Sequence, residues 1–177
     1  MTQSGDVLLV EDNHADVQLT MHVMAEENTA YRVHVTRDGE QALNFIFGKA
    51  EYENAPKPIV ALVLLDLKLP KVNGFEVLKQ IKENPSTKAL PVVILSSSNQ
   101  VRDVDSSYQL GANGYVQKPV NFEEFSDALR CIAEFWLGAN LTPSPALFKG
   151  QENGPRTANG SRDTVSIVAS GRTEEKE

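Results

Sequence analysis

Seven apolar residues in a row, Ile59 to Leu65, run directly into a carboxylate, Asp66. A stretch that apolar and that short predicts a strand buried on both faces, as in the middle of a parallel sheet. An acid placed where such a strand ends stands at the sheet's carboxyl edge, where open α/β folds hold their chemistry. Glu11 and Asp12 end a second apolar strand, Val7 to Val10, and Lys118 follows a third around Gly114 to Val116. Three acids and one lysine from three strand ends are expected to share one small pocket.

The rest of the chain alternates in the same way. Asn13, with Asp16 three residues on, reads as a helix cap with an acidic first turn, followed by Leu19, Thr20, Val23 and Met24 at helical spacing. Tyr31 to Val35 alternates apolar and polar residues and predicts an edge strand. Asp38 caps a second helix with Ala42, Leu43 and Ile46 inward. A polar loop from Lys49 to Pro58 leads to the Asp66 strand. Asn73-Gly74 starts a third helix carrying Val77, Leu78 and Ile81. Pro91 opens the strand Val92 to Leu95, which ends in Ser96-Ser97-Ser98. A fourth helix runs through Val101, Val104 and Tyr108 to Gly111. Phe122, Phe125, Leu129, Ile132 and Trp136 then mark an amphipathic last helix. The expected fold class is α/β: a doubly wound, five-stranded parallel sheet in the order 2-1-3-4-5 with five helices.

That domain is expected over residues 1–140, and 141–177 as a disordered polar tail. From Thr142 the chain is rich in Pro, Gly, Ser, Thr and Asn, and five basic residues balance five acidic ones. Val165 to Val168 is its one strand-like segment, and no output domain is visible. With 17 basic and 24 acidic residues the formal charge is −7, a poor match to nucleic acid or an anionic membrane. One cysteine, Cys131, excludes an intrachain disulfide and fits a reducing compartment. It is expected as a small core or groove residue. The N-terminus lacks signal-peptide character, and no apolar run reaches the ~20 residues of a membrane span. A cytoplasmic location is expected. His14, His22 and His34 form no metal spacing and are expected at the surface.

Glu11, Asp12 and Asp66 would repel one another, and a hard divalent cation held by oxygen ligands offsets that; Mg²⁺ suits the site better than Ca²⁺, for which no dedicated loop is present. A cation and Lys118 around Asp66 would both counter charge on a transferring phosphoryl group. Asp66 could then attack phosphorus to give an aspartyl phosphate, with the Ser96 hydroxyl bonding the new oxygens.

Val10-Glu11-Asp12-Asn13, Leu65 to Pro70, Asn73-Gly74, Pro91 to Ser96 and Gly111 to Pro119 together resemble the receiver domain of two-component response regulators, a flavodoxin-like fold, from about Asp6 to Leu137. The resemblance implies a role for each matching residue. Asp66 would be the phosphoacceptor. Asp12 would hold Mg²⁺ directly and Glu11 through water, with Asp66 and the backbone carbonyl of Lys68 as further ligands. Lys118 would pair with the phosphoryl oxygen, its bond to Pro119 being cis in the family. Ser96 and Tyr115 would be the switch residues, with Lys68 and Ser98 at positions that tune phosphoryl lifetime. Glu11 stands where Asp is commoner. The loop before the Asp66 strand and the ending Ile132 to Leu137 resemble stand-alone regulators associated with phytochrome-type histidine kinases.

The implied function is a single-domain response regulator, not an enzyme in the metabolic sense. It would take a phosphoryl group from a histidine kinase and homodimerise through its fourth helix, fifth strand and fifth helix. Moving a population from 1:99 to 99:1 takes about 5.5 kcal/mol of differential stabilisation. The alternatives are a phosphorelay intermediate and a phosphorylation-independent binding module. A phosphatase using Asp66 as nucleophile would want a second acid two residues on, where Lys68 stands. A flavin site would want a phosphate-cradling loop after the first strand, which is lacking. Apart from that resemblance, Ser97 and Ser98 are expected as part of a polar loop and Ser96 is not. Of Phe135 and Trp136, one is expected to be exposed.

Overall fold

The computed structural model describes residues 5–26, 31–55, 58–141 and 143. The segment read as a polar tail, including Val165 to Val168, lies almost wholly outside the described residues. Strands and helices alternate as β1 (Asp6–Val10), α1 (His14–Glu26), β2 (Val33–Thr36), α2 (Gly39–Phe47), β3 (Val60–Leu65), α3 (Gly74–Glu83), β4 (Val92–Ser96), α4 (Val101–Gln109), β5 (Gly114–Gln117) and α5 (Phe122–Ala133). The sheet is parallel throughout, in the order β2-β1-β3-β4-β5. This is the doubly wound arrangement expected from the alternation. A 3₁₀ turn, Ala50–Tyr52, lies in the polar loop, and a π-helical stretch, Glu134–Ala139, prolongs α5.

β3 is buried on both faces because its side chains alternate between two apolar layers. Leu62 and Leu64 pack with Val17, Val23, Phe125 and Leu129 of α1 and α5. Val63 and Leu65 pack with Ala42, Leu43, Val77 and Ile81 of α2 and α3. α1, α2 and α3 start where short polar side chains cap them. Asn13 Oδ1 accepts from the amides of Ala15 and Asp16, Asp38 from that of Gln41, and Asn73 from that of Glu76.

Some side chains stand elsewhere than the periodicity predicts. Cys131 is exposed, because the buried stripe of α5 runs through Phe125, Leu129 and Ile132 and leaves position 131 on its flank. Phe122 begins α5 and is exposed, so the inward stripe starts one turn later than its spacing implies. His34 is largely covered: its Nε2 lies 2.8 Å from Asp6 Oδ2, and its ring packs against Phe45 at 5.0 Å between centroids. An edge strand therefore supplies a paired histidine and not a surface one. Phe135 is exposed while Trp136 packs against the core, as expected of that pair. On α4 only Ser107 is buried, and Val101 and Tyr108 face outward.

Lys82 ties three segments together. Its Nζ donates to Leu90 O at 2.7 Å, Lys88 O at 3.3 Å and Asn113 Oδ1 at 2.8 Å, and Asn113 Oδ1 also accepts from the Val92 amide at 2.9 Å. Burial pulls the Lys82 ammonium down to about 8. The unfolded chain therefore binds the extra proton between about pH 8 and 10.5, and stability from this group rises with pH across that window. Urea unfolding should show that rise in the unaltered protein and a smaller one in Lys82→Met. At pH 7 Asn113→Ala should cost about 2 kcal/mol, since it leaves the Val92 amide and the Lys82 ammonium each short of a partner.

Candidate functional site

The sheet itself sets the positions of the polar residues. Past the strand ends its hydrogen bonding continues for one residue: the Glu11 amide donates to Thr36 O at 3.0 Å, Asp66 to Val10 O at 3.0 Å, and Lys118 to Ser96 O at 2.8 Å. Glu11, Asp66 and Lys118 thus leave one carboxyl edge from β1, β3 and β5. The loop after Asp66 is then folded tightly onto the start of α3, where the Gly74 amide donates to Leu67 O at 3.0 Å. Only glycine permits that approach, since a Cβ at position 74 would stand 2.2 Å from Asp66 O.

Lys118 is the hub. Its Nζ donates to Glu11 Oε2 at 2.5 Å, Asp16 Oδ2 at 2.9 Å and Asp66 Oδ2 at 3.1 Å. The other Asp66 oxygen, Oδ1, accepts from the Lys68 amide at 3.2 Å, and Glu11 Oε1 accepts from the Asn13 amide at 3.1 Å. Glu11 and Asp66 are buried and Asp12 is exposed, yet all three present an oxygen within 4.8 Å of one another. The peptide between Lys118 and Pro119 departs from the sequence expectation. No cis bond occurs among the described residues, and the lysine reaches the acids from a trans bond.

The electrostatics follow from burial. Loss of water pushes the Glu11 carboxyl up to about 7, against the pull of Lys118, and the neighbouring Asp66 adds to the rise. Burial alone would lower the Lys118 ammonium, but Asp66, Glu11 and Asp16 hold it well above its ordinary value. Three acids thus hold one lysine, and Asp12 converges with two of them. The donors are all carboxylate oxygens, a hard set that fits Mg²⁺ or Mn²⁺ with water completing the shell, and among the described residues no histidine or thiolate joins them. Divalent binding would have to displace the Glu11 proton below about pH 7. Affinity read by calorimetric titration should rise with pH, by at most about tenfold per unit, and level off above about 7. The metal-free protein should show the converse: from about pH 4.5 to 7 the folded state holds a proton the unfolded state has lost, so stability falls as pH rises, and Glu11→Gln flattens that slope.

A second network leads away from the acids. Ser96 is fully buried at the end of β4, and its Oγ accepts from the Ser98 amide at 3.2 Å. Ser98 Oγ donates to Asp103 Oδ2 of α4 at 2.6 Å, and Ser98 O accepts from the Tyr115 hydroxyl at 2.9 Å. One residue therefore connects Ser96 to α4 and to β5.

The structure brings together every acid expected at the site, with Lys118. It adds one acid, Asp16, and it gives Ser98, expected only as a loop residue at a position that tunes phosphoryl lifetime, a set of partners that the sequence does not show. Asp16 was visible only as an acid in a first turn, which the helix dipole already explains. Ser98 was read as part of a polar loop, but it is buried and joins Ser96, Asp103 and Tyr115.

Comparison with known proteins places these features in context. The response regulator receiver domain family matches residues 7–130. Response regulator Rcp1 of Synechocystis sp. (strain ATCC 27184 / PCC 6803 / Kazusa) is 41% identical over 138 residues, 78% of this chain and 92% of that protein. The crystal structure of the Mn²⁺-bound form of Rcp1 aligns with a TM-score of 0.75 at 40% identity, covering 79% of this chain and 99% of the other. The phosphorylated cyanobacterial phytochrome response regulator RcpA aligns equally well, with a TM-score of 0.75 at 40% identity over 80% and 99% of the two chains.

Proposed function

Because the chain belongs to the response regulator receiver family, we propose that it is a phosphorylation-operated signalling switch in which Asp66 accepts a phosphoryl group from a histidine kinase with Mg²⁺ present. The observation that carries this reading is the contact between Lys118 Nζ and Asp66 Oδ2 at 3.1 Å inside a cluster of convergent acids. Asp12, Asp66, the Lys68 carbonyl and, through water, Glu11 would hold Mg²⁺. When bound, it supplies charge neutralisation for the transferring phosphoryl group.

The remaining chemistry belongs to the chain. One Asp66 oxygen forms the O–P bond as the P–N bond of the donor phosphohistidine breaks, and the imidazole leaves with the electron pair. Lys118, which reaches Asp66 Oδ2 at 3.1 Å, is near enough to place its charge beside the phosphoryl oxygens, while the Lys68 amide restrains Oδ1. The Ser96 hydroxyl turns to a phosphoryl oxygen and releases the Ser98 amide. That loosens the hold of Ser98 on Tyr115 and α4, and shifts the population towards a form with a different α4-β5-α5 surface.

Likeness to Rcp1 and RcpA supports a phytochrome-type kinase as the donor. Tyr108, Val120 and Phe122 stand exposed on or beside α4, β5 and α5, which supports that face as the contact for a second copy or another protein. We assign the receiver to 1–140 and leave 141–177 outside it. No helix among the described residues is long and apolar enough to cross a membrane, in keeping with action in the cytoplasm.

Intact-mass measurement after incubation with acetyl phosphate tests the core of the proposal. One phosphoryl group should add to the unaltered protein with Mg²⁺, and none to Asp66→Asn or in the absence of the metal. A pocket that takes up neither phosphoryl nor beryllofluoride with Mg²⁺ would overturn the reading.

A further inference from the structure

The Lys118 ammonium has three N–H groups, and three carboxylates take one each: Glu11, Asp66 and Asp16. Two of these belong to the set whose oxygens converge within 4.8 Å, namely Glu11, Asp12 and Asp66. Asp16 stands outside that set. It sits in the first turn of α1, where Asn13 Oδ1 accepts its amide hydrogen at 3.1 Å, and it is the most solvent-exposed of the lysine's three partners. The ammonium therefore bridges the cluster and one acid beside it.

This arrangement bears on how a divalent cation and Lys118 share one pocket. A cation entering between Glu11, Asp12 and Asp66 needs oxygens that the ammonium already holds, and two positive centres a few ångströms apart repel strongly where water is scarce. Only 9% of the Lys118 side chain is exposed, so the ammonium has few partners in reach besides these acids. With Glu11 and Asp66 drawn to the metal, Asp16 is the partner that remains.

We propose that Asp16 is a positioning residue that draws Lys118 to the α1 side of the pocket and so leaves Glu11 and Asp66 available to the divalent cation. The proposal rests on the reading of those acids as the Mg²⁺ site. Asp16 would not be a ligand of the metal, since it stands outside the set of converging oxygens. Without it, Lys118 has only the metal's own ligands to bond, and the two cations compete directly. The effect should vanish when the lysine is gone, which separates positioning from the plain loss of one negative charge.

The test is Mg²⁺ titration calorimetry on the full chain, comparing the unaltered protein with Asp16→Asn, each also in a Lys118→Met background, with thermal melts to establish folding. Lys118→Gln replaces Lys118→Met if the latter does not fold. Asp16→Asn should raise the Mg²⁺ Kd fivefold or more in the native background and less than twofold without the lysine. An Asp16→Asn affinity within twofold of the unaltered protein would overturn the inference, and so would an equal loss in both backgrounds. If the unaltered protein bound no Mg²⁺, the cation site and this inference would both fall; normal binding with an indifferent Asp16→Asn would remove the inference alone.

Discussion

Lys118→Ala should reduce the rate of Asp66 phosphorylation by about 100-fold or more, the usual effect of removing one preorganised donor to developing charge. In the same variant Mg²⁺ should bind more tightly, because the ammonium that contacts Glu11 and Asp66 no longer competes for their oxygens. A mutation that tightens the metal yet slows the chemistry would assign Lys118 to the transition state and not to cation binding. Stability adds a third readout. Removing one partner of a buried ion pair costs about 3 kcal/mol when the other stays charged. Here Glu11 has an escape, since its carboxyl is poised at about 7. The metal-free variant should thus be weakest near pH 8, recover towards pH 5 as Glu11 takes up a proton, and recover at pH 8 when Mg²⁺ is added. Urea unfolding at the two pH values, with and without metal, checks this. Equal losses under all conditions would show that the pairing contributes little.

Gly74→Ala should be among the most damaging single substitutions in the domain, costing about 3 kcal/mol or more. The added Cβ would lie 2.2 Å from Asp66 O and 2.6 Å from Leu67 Cα, and both obstacles are backbone. No rotamer change relieves them, so α3 must back away from the strand end that carries Asp66. Residual folded protein should accept phosphoryl groups more slowly than the unaltered chain at equal folded concentration. Gly114→Ala is the control. Its Cβ would meet nothing closer than a Val93 methyl at 3.6 Å, and a loss within about 1 kcal/mol is expected. Comparable unfolding midpoints for the two variants would refute the close-approach argument.

Much of this molecule was legible before any coordinates, because its information is local. The Ile59 to Leu65 run marked a strand between two layers, and an acid or a lysine at each of three strand ends marked one edge. Asn13, Asp38 and Asn73 announced their helices through short side chains at the right offset. What escaped was set by partners distant in sequence. Asp16 gains its meaning from Lys118, 102 residues away, and His34 from Asp6, 28 residues away. Ser98 looked like its neighbour Ser97 until Tyr115 and Asp103 closed on it. Cys131 and Phe122 were misplaced for geometric reasons: Cys131 lies on the flank of the α5 stripe, and a stripe does not fix where along the helix the packing beneath it begins. The Lys118–Pro119 bond was expected from resemblance alone, and nothing in the local chain compelled a cis form.

Ser98 carries one further consequence. Its carbonyl holds Tyr115, its hydroxyl holds Asp103, and its amide holds Ser96. Three threads are knotted at a single point, so none can be let out by itself. A pull from the pocket has to be felt by helix and strand in the same instant, and half-thrown positions should be scarce. For the proposed switch the expected answer is yes or no, with gradations in output set by how many copies have answered.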